Sequence, residues 1–281
     1  YDLFYPNDGW VEARPDEILA SVRETVDKAI DNSNVTINAC GITNQRETVV
    51  VWERASGKAI YPAIIWQDRR TSELCNELKK NKKLENEIRK KTGLLLDPYF
   101  SASKIKWILD NVEGARIKAK NGDLCFGTIE TFLIWNLTEE KNHKTDATNA
   151  SRTMLMNLET LAWDQSLLEI FNIPIEILPE ICSCDDTFGH IDKGDQKIPI
   201  TGVIGDQQSA LFGQNCFDFG EMKSTYGTGC FLMVNTKDKI YKSNAKLLST
   251  VGCKLGNETS YALEGSIFSA GTSIQWLRDE M

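Results

Sequence analysis

Val203-Ile204-Gly205-Asp206-Gln207-Gln208, followed further along the chain by Thr225-Tyr226-Gly227-Thr228-Gly229-Cys230, is the part of this sequence that decides its fold. The first stretch is typical of a strand whose end delivers a single carboxylate. The second is typical of a small-residue turn between two strands. A carboxylate can accept a proton from an attacking hydroxyl, and a Gly/Thr turn offers N–H groups and a hydroxyl to a phosphate. The pair therefore predicts a phosphoryl-transfer site, although an ordinary Asp cap before an ordinary hairpin turn would have the same residues.

Composition limits the class of protein. The chain has 281 residues, 41% of them hydrophobic and 26% charged, which is typical of one large or two ordinary globular domains. Its net charge of −8 argues against a general binder of nucleic acid or of membrane surfaces, since such proteins are usually basic. No apolar run of about 18 residues, the length that predicts a transmembrane helix, is found.

The cysteines and the chain ends indicate a cytoplasmic fragment. The eight cysteines are scattered without a CxxC pair, and there are only two histidines, so a structural zinc site is not expected. Reduced, small apolar cysteines are typical of a cytosolic protein. The sequence begins at Tyr1 without Met and ends at Met281 within a predicted helix, so we expect it to be part of a longer protein.

Strands and helices alternate along the first two thirds of the chain. Apolar residues at helical spacing predict a helix over residues 15–32, and β-rich runs predict strands over 35–42, 48–52, 63–66 and 198–204. Helices are predicted over 71–79, 84–91, 103–111, 126–137 and 155–171. After Gly220 the pattern changes to strands over 222–225, 230–234, 248–253 and 260–263, with a helix from Ser269. This order indicates an α/β architecture, with a domain boundary between Gly213 and Phe219.

Three further blocks allow a family to be recognised. They are residues 41–48 (Gly-Ile-Thr-Asn-Gln-Arg-Glu-Thr), residues 99–111 (Tyr-Phe-Ser-Ala-Ser-Lys-Ile-Lys-Trp-Ile-Leu-Asp-Asn) and residues 145–154 (Thr-Asp-Ala-Thr-Asn-Ala-Ser-Arg-Thr-Met). With these blocks the chain resembles the FGGY carbohydrate kinases nearly from end to end, from Pro6 to Asp279. Within the family it is most similar to the members that act on glycerol.

The resemblance implies a fold and a reaction. The fold is the α/β, actin-like (ribonuclease-H-like) ATPase fold, with two domains and a cleft between them that holds ATP and the sugar or polyol. Residues 1–215 would be the N-terminal domain without its first strands and phosphate-binding loop, and residues 216–281 the start of a truncated C-terminal domain. The full protein would phosphorylate glycerol to sn-glycerol 3-phosphate with ATP and Mg²⁺. The family also leads us to expect a homo-oligomer, without a nucleic-acid or membrane partner.

The same resemblance assigns the substrate residues. Arg46 and Glu47 follow a predicted strand, where a surface loop would be the ordinary interpretation, but a forked donor beside an acceptor suits a vicinal polyol. The resemblance implies that this pair and Tyr99 hydrogen-bond glycerol. Trp66 and Phe231, which could each be core residues, would present apolar faces to its carbon skeleton and exclude water.

Asp206 would be the general base and would accept the proton of the attacking primary hydroxyl. Gln207 would hydrogen-bond the same substrate. On the nucleotide side, the resemblance implies that Thr228, Gly229, Gly271 and Gln275 bind ATP. Gly271 stands at a predicted helix start, where N–H groups favour anions, although close helix packing would also select glycine there. The resemblance implies no metal ligand in this chain except Asp206.

Two other functions fit parts of the sequence. One is a different FGGY kinase acting on a ketopentose such as xylulose, which the set of Arg46, Glu47, Trp66 and Tyr99 argues against. The other is a non-catalytic ligand sensor on the actin-like fold. The presence of both Asp206 and the Gly227-Thr228-Gly229 turn argues against a sensor.

Overall fold

Residues 1–33, 35–194 and 196–281 are described by the computed structural model, and they form a mixed α/β structure. The helices within these ranges are α1 (Pro15–Asp31), α2 (Ser72–Lys79), α3 (Lys82–Thr92), α4 (Ser101–Asn111), α5 (Ala115–Lys120), α6 (Ile129–Leu137), α7 (Ala147–Ala150), α8 (Gln165–Phe171), α9 (Asp206–Gly213) and α10 (Gly271–Glu280). A 3₁₀ turn covers Ile175–Ile177.

The strands are short in the first part of the chain and longer after residue 195. In chain order they are β1 (Leu3–Phe4), β2 (Glu12–Ala13), β3 (Cys40–Asn44), β4 (Val50–Glu53), β5 (Ala63–Ile64), β6 (Leu124–Gly127), β7 (Lys144–Asp146), β8 (Met156–Asn157), β9 (Ala162–Trp163), β10 (Glu180–Cys182), β11 (His190–Lys193), β12 (Gln196–Gly205), β13 (Met222–Tyr226), β14 (Cys230–Lys237), β15 (Leu248–Leu255) and β16 (Glu258–Ile267).

A parallel pair of strands fixes the position of the site. β12 runs parallel to β3, and the pairing ends with Gly205 beside Asn44. Because parallel strands end at the same edge of a sheet, the segments that leave them lie side by side. Those segments are the turn that carries Arg46 and Glu47 and the start of α9, whose first residue is Asp206.

The later strands form a separate antiparallel sheet. Its order is β13-β14-β16-β15, and β14 pairs with both β13 and β16. The turn between β13 and β14 contains Gly227 and Gly229, as the sequence predicts. The predicted domain boundary at 213–219 falls in the connection between α9 and β13, and it stays a prediction.

The largest buried cluster lies in the first part of the chain. It joins α3, α4 and α8 with β4 and β6 through side chains such as Ile88, Ile105, Phe126 and Phe171. A smaller cluster packs α1 and α6 against β2, β4 and β5 around the fully buried Trp52. These apolar layers hold α4, and Tyr99 two residues before its start, against the turn that follows β3.

Two predicted elements are wrong in part. The strand predicted over residues 35–42 covers Cys40–Asn44 instead, because its partner β12 pairs with it only from Ile200 onward. Val35 is exposed. The helix predicted over 126–137 begins only at Ile129, since Phe126 pairs with Val51 between β4 and β6.

The helix predicted over residues 155–171 is also wrong in its first half. Met156 pairs with Trp163 in a short hairpin, and helix α8 starts only at Gln165. The reason is a cap: the Asp164 carboxylate accepts from the backbone N–H groups of Ser166 and Leu167, at 3.1 and 3.3 Å. A side-chain cap satisfies the orphan N–H groups of a first helical turn and so sets where the helix begins.

The part of the chain that the structure describes holds neither a membrane span nor a metal cluster. Within the described ranges, no helix combines the length and the apolar character that crossing a bilayer requires. The described residues also contain no group of three or more His, Cys, Asp or Glu side chains placed to hold a metal ion.

Candidate active site

The predicted substrate residues line one small pocket. Its volume is about 40 Å³, and it lies at the ends of β3 and β12. We refer to it as the Arg46 pocket. The residues that line it are Gln45, Arg46, Glu47, Trp66, Tyr99, Asp206, Gln207 and Phe231. The fold thus brings together all seven residues that the sequence predicts for substrate binding, although they come from five separate parts of the chain.

Arg46 is almost fully buried at one side of this pocket. Its Nη1 donates to Glu264 Oε2 at 2.6 Å and to Gln208 Oε1 at 3.0 Å. Its Nη2 donates to Glu264 Oε1 at 3.0 Å and to the Tyr99 hydroxyl at 3.4 Å. The Arg46 side chain crosses directly over Gly205, where an added Cβ would lie 2.9 Å from two of its carbons. Glycine at the end of β12 is therefore needed for Arg46 to reach the pocket.

Glu47 adopts an unusual backbone conformation. Its φ is +60°, and the Thr48 N–H donates to the Arg46 carbonyl at 2.7 Å, so Glu47 is the centre of a three-residue turn. Such turns with positive φ are rare and strained, and strained residues concentrate at functional sites. Here the turn directs the Arg46 and Glu47 side chains into the same buried space.

Four side chains form a buried charge cluster: Arg46, Glu47, Arg152 and Glu264. Arg152 Nε donates to Glu47 Oε1 at 2.6 Å, and its Nη2 donates to Glu264 Oε1 at 2.9 Å. Two positive and two negative groups balance one another, which burial in a low-dielectric interior requires.

The carboxyls of the cluster respond differently to this environment. Burial opposes ionisation of Glu264, but the positive charges of Arg152 and Arg46 outweigh it and lower the pKa of Glu264 to about 2. For Glu47, burial dominates over the same two arginines and raises the pKa. Glu264 therefore stays ionised at neutral pH, and Glu47 is the carboxyl of the two that protonates first as the pH falls.

Asp206 stands at the mouth of the pocket. Its side chain is 40% exposed, and its Oδ1 lies 3.3 Å from Arg46 Nε. Gln207 donates to both carboxylate oxygens, from its backbone N–H at 2.7 Å and from Nε2 at 3.3 Å. The Asp206 carboxylate is thus fixed in orientation while it stays partly exposed, as a group that takes a proton from a ligand must be.

Lys223 contacts the same group of residues from β13. Its ammonium donates to Gln207 Oε1 and to Thr225 Oγ1, the latter at 2.8 Å. Burial and then the positive charge of Arg46 lower the pKa of Lys223 to about 8. Lys223 fixes the amide of Gln207 so that Nε2, the donor end, points to Asp206.

Aromatic rings close the other side of the pocket. Trp66 meets Tyr99 and Phe231 edge to face, with ring centroids 5.9 Å apart in both pairs. Phe268 packs on Tyr99 at 4.7 Å. Burial, and then the negative charge of Glu47, raise the pKa of the Tyr99 hydroxyl well above its ordinary value, so it stays a neutral hydrogen-bond donor.

The predicted nucleotide residues converge at a second place. The Gly271 N–H donates to the Gly227 carbonyl at 3.0 Å, and the Ala270 N–H donates to the Thr228 carbonyl at 2.8 Å. The start of α10 thus lies directly against the turn that contains Thr228 and Gly229. Gln275 is exposed one helical turn beyond Gly271, on the same face of α10. The Thr228 turn and the Arg46 pocket meet at the start of β14, which begins at Cys230 directly after that turn and carries the pocket residue Phe231 at its second position.

The sequence did not point to Glu264, Lys223 or Gln208. A signal for two of them was present, since Glu264 and Lys223 are charged residues at inward positions of strands, where Glu264 alternates with the buried Ala262. A charged residue on the buried face of a strand requires a partner. For Gln208, which donates to the Val251 carbonyl at 3.1 Å, no such signal exists.

Comparison with known families gives a match over most of the chain. A model of the N-terminal domain of the FGGY family of carbohydrate kinases matches residues 1–213. Among curated proteins, the glycerol kinase of Alteromonas mediterranea is 56% identical over 280 residues, which cover 98% of this chain and 57% of that protein. The glycerol kinase of Fusobacterium nucleatum is 54% identical over 287 residues, with 100% and 58% covered. The chain therefore spans a little over half the length of the curated relatives that it matches.

Solved structures agree with the fold. The structure of Plasmodium falciparum glycerol kinase with ADP superposes with a TM-score of 0.91 at 43% identity, over 99% of this chain and 57% of that one. A ligand-bound xylulose kinase from Lactobacillus acidophilus gives a TM-score of 0.85 at 23% identity, over 99% and 56%. The second likeness concerns the fold alone. Together the two confirm the predicted α/β, actin-like fold.

Proposed function

This chain belongs to the FGGY family of carbohydrate kinases, and from that premise we propose that the full-length protein containing it transfers the γ-phosphoryl group of ATP to a primary hydroxyl of glycerol. The observation that carries the proposal is the composition of the Arg46 pocket. A forked cation, two carboxylates, two amides and a phenol meet there below a wall of aromatic rings. Such a set provides hydrogen bonds for several adjacent hydroxyls and an apolar surface for the carbons that bear them.

The size of the pocket favours a short polyol. Its volume of about 40 Å³ lies well below the range of roughly 300–1,000 Å³ that drug-sized ligands occupy. Trp66 and Phe231, packed edge to face, limit the length of a carbon chain on one side. Arg46 and Glu47 offer donors and an acceptor on the other. A three-carbon polyol fits these limits better than a five-carbon ketose does.

The proposed reaction uses Asp206 as general base. Its carboxylate accepts the proton of the primary hydroxyl as that oxygen forms a bond to the γ-phosphorus of ATP, and the bond from phosphorus to the bridging oxygen of ADP breaks. Arg46, Glu47, Tyr99 and Gln207 hold the remaining hydroxyls, so the attacking oxygen is aligned before transfer. Trp66 and Phe231 keep water, the competing nucleophile, away from the phosphorus.

The nucleotide side of the proposal rests on the turn at Gly227–Gly229 and the start of α10. Backbone N–H groups of such a small-residue turn suit phosphate oxygens, whereas the N–H groups of Gly271 and Thr272 at the start of α10 already donate to the Gly227 and Thr228 carbonyls. Gln275 lies one helical turn further on, where it can reach another part of the nucleotide. Mg²⁺ would neutralise phosphate charge, and it is usually held by phosphates and one or two carboxylates. Asp206 is the carboxylate of this chain that fits such a role.

A substrate panel tests the proposal. The full-length protein is assayed for ADP release with ATP, Mg²⁺ and either glycerol, xylulose or gluconate as acceptor. We expect the highest kcat/KM for glycerol. Preference for the ketopentose would replace glycerol by another substrate of this family, and nucleotide and glycerol binding without ADP release would favour a ligand sensor.

The remaining expectations belong to the same proposal. Glycerol and ATP are its small-molecule partners, without nucleic acid or membrane, and we expect a cytoplasmic homo-oligomer. The eight unpaired cysteine thiols support a reducing compartment. Size measurement of the full-length protein in solution tests the oligomer.

A further inference from the structure

The role of Glu264 goes beyond charge balance. We propose that Glu264 is a positioning residue for substrate binding: by holding both Nη atoms of Arg46, it turns the Nε–Nη2 edge of that guanidinium into the pocket and keeps Arg46 from pairing fully with Asp206. The inference rests on the proposed function. It concerns a residue of β16 that lies 218 positions from Arg46 in the sequence.

Counting the donors of Arg46 shows which edge is available. A guanidinium has five N–H groups and no acceptor. Both N–H groups of Nη1 are used, by Glu264 and Gln208 at 2.6 and 3.0 Å. Nη2 gives one N–H to Glu264 at 3.0 Å and makes only a long contact of 3.4 Å to the Tyr99 hydroxyl. The weakly held N–H of Nη2 and the N–H of Nε are therefore the ones left to meet a ligand.

Glu264 determines this orientation because its contact is bidentate. Two parallel N–H···O bonds fix the plane of a guanidinium as well as its position, which a single contact does not. The carboxylate itself is held by Arg152 Nη2 at 2.9 Å and by the Ser266 hydroxyl at 2.8 Å. It is completely buried, so it has no alternative partner in solvent. Glu264, which belongs to the antiparallel sheet of β13, β14, β16 and β15, thus sets the orientation of Arg46.

Asp206 is the competing partner of Arg46. Its Oδ1 lies 3.3 Å from Arg46 Nε, without the short, paired geometry that Glu264 has. If Glu264 were neutral, Asp206 and Glu47 would be the anions left to Arg46, and a full ion pair with Arg46 would occupy the Asp206 oxygens that must accept the substrate proton. Glu264 therefore both presents Arg46 and leaves Asp206 free.

The test compares the full-length parent with Glu264→Gln. Glutamine keeps the size of the side chain, but it removes the charge and turns one acceptor into a donor that faces an Arg46 N–H. We expect KM for glycerol to rise by about 10- to 100-fold, the effect of one lost hydrogen bond to a charged group. We expect kcat to fall as well, and KM for ATP to stay unchanged. Glu258→Gln is the matched control, since it makes the same exchange at an exposed position of the same strand.

Glu264→Asp separates positioning from charge. Aspartate keeps the anion, so kcat should largely return, but it is one methylene shorter and cannot hold both Nη atoms, so KM for glycerol should stay raised. This variant also decides the question if Glu264→Gln does not fold. A rise in KM for glycerol without a rise in KM for ATP supports the proposal. Unchanged KM values, or equal rises in KM for glycerol and for ATP, would overturn it. If the parent itself shows no turnover, the proposed function fails, and glycerol affinity is then measured by calorimetry in the parent and the variant. A weaker glycerol affinity in the variant supports the positioning role of Glu264, and an equal affinity overturns it.

Discussion

Replacing Arg152 by methionine should destabilise the protein strongly, and more so at high pH. Arg152 is completely buried and gives two charge-assisted hydrogen bonds, to Glu47 at 2.6 Å and to Glu264 at 2.9 Å. Its guanidinium also lies over the rings of Tyr99 and Phe100, 5.6 and 5.3 Å from their centroids. Methionine fills much of the volume but leaves the buried charge cluster with one uncompensated negative charge. We expect the free energy of unfolding to fall by about 3–5 kcal/mol at pH 8, as for other buried pairs that lose one partner.

The pH dependence follows from Glu47. Burial raises its pKa, and Arg152 is one of the two cations that oppose this rise. Without Arg152 the folded-state pKa of Glu47 goes up further. A carboxyl with a raised folded-state pKa contributes stability at low pH that is lost as the pH rises through that pKa. The decrease in unfolding free energy that Arg152→Met causes should therefore be smaller at pH 5 than at pH 8.

The assay is urea unfolding of the full-length protein, followed by tryptophan fluorescence at both pH values. Arg14→Met is the control, because Arg14 pairs with Glu17 at the surface at 3.2 Å, and such exposed pairs contribute at most about 1 kcal/mol. A loss below about 1 kcal/mol for Arg152→Met, or an equal loss at both pH values, would refute the interpretation that this arginine neutralises a buried carboxylate.

Two further predictions concern acid stability and the nucleotide turn. Burial lowers the pKa of His143 to about 4, so its contribution to stability is present above pH 6.5 and is lost as the pH falls from there toward 4. In His143→Gln the decrease in unfolding free energy between pH 7 and pH 4.5 should therefore be smaller than in the parent by about 2–3 kcal/mol. Denaturation curves that show the same decrease as the parent would contradict this. In Gly271→Ala the new Cβ would lie 2.3 Å from the Gly227 carbonyl oxygen and displace the turn. We therefore expect KM for ATP to rise on the order of 10-fold or more while KM for glycerol stays unchanged. An unchanged KM for ATP would show that this turn is not part of the nucleotide site.

Local sequence signals were enough to predict the framework of the site. A buried strand that ends in Gly205-Asp206 places a carboxylate at the edge of a sheet whatever the rest of the fold is, and the Gly227–Gly229 turn needs only its two flanking strands. The family resemblance then supplied the remaining pocket residues except Gln45, and the structure brings all of them together. Their roles in binding and catalysis stay predictions.

The long-range partners could not be predicted in this way. Arg46 and Glu264 meet because β16 of one sheet lies against the end of β3 in another, and no periodicity in either segment specifies that contact. The misplaced helix before Asp164 has a local cause instead. Apolar spacing favoured a helix from residue 155, but the cap at Asp164 and the hairpin pairing of Met156 with Trp163 outweigh it.

We propose that the kinase to which this chain belongs uses Asp206 as its general base. The most direct test is glycerol-dependent ADP release by the full-length protein with ATP and Mg²⁺, measured beside an Asp206→Asn variant. We expect turnover in the parent and a kcat about 10²- to 10⁴-fold lower in the variant, which still binds glycerol. Equal turnover in the two proteins would contradict the role of Asp206, and the absence of turnover in a folded parent would contradict the proposed reaction itself.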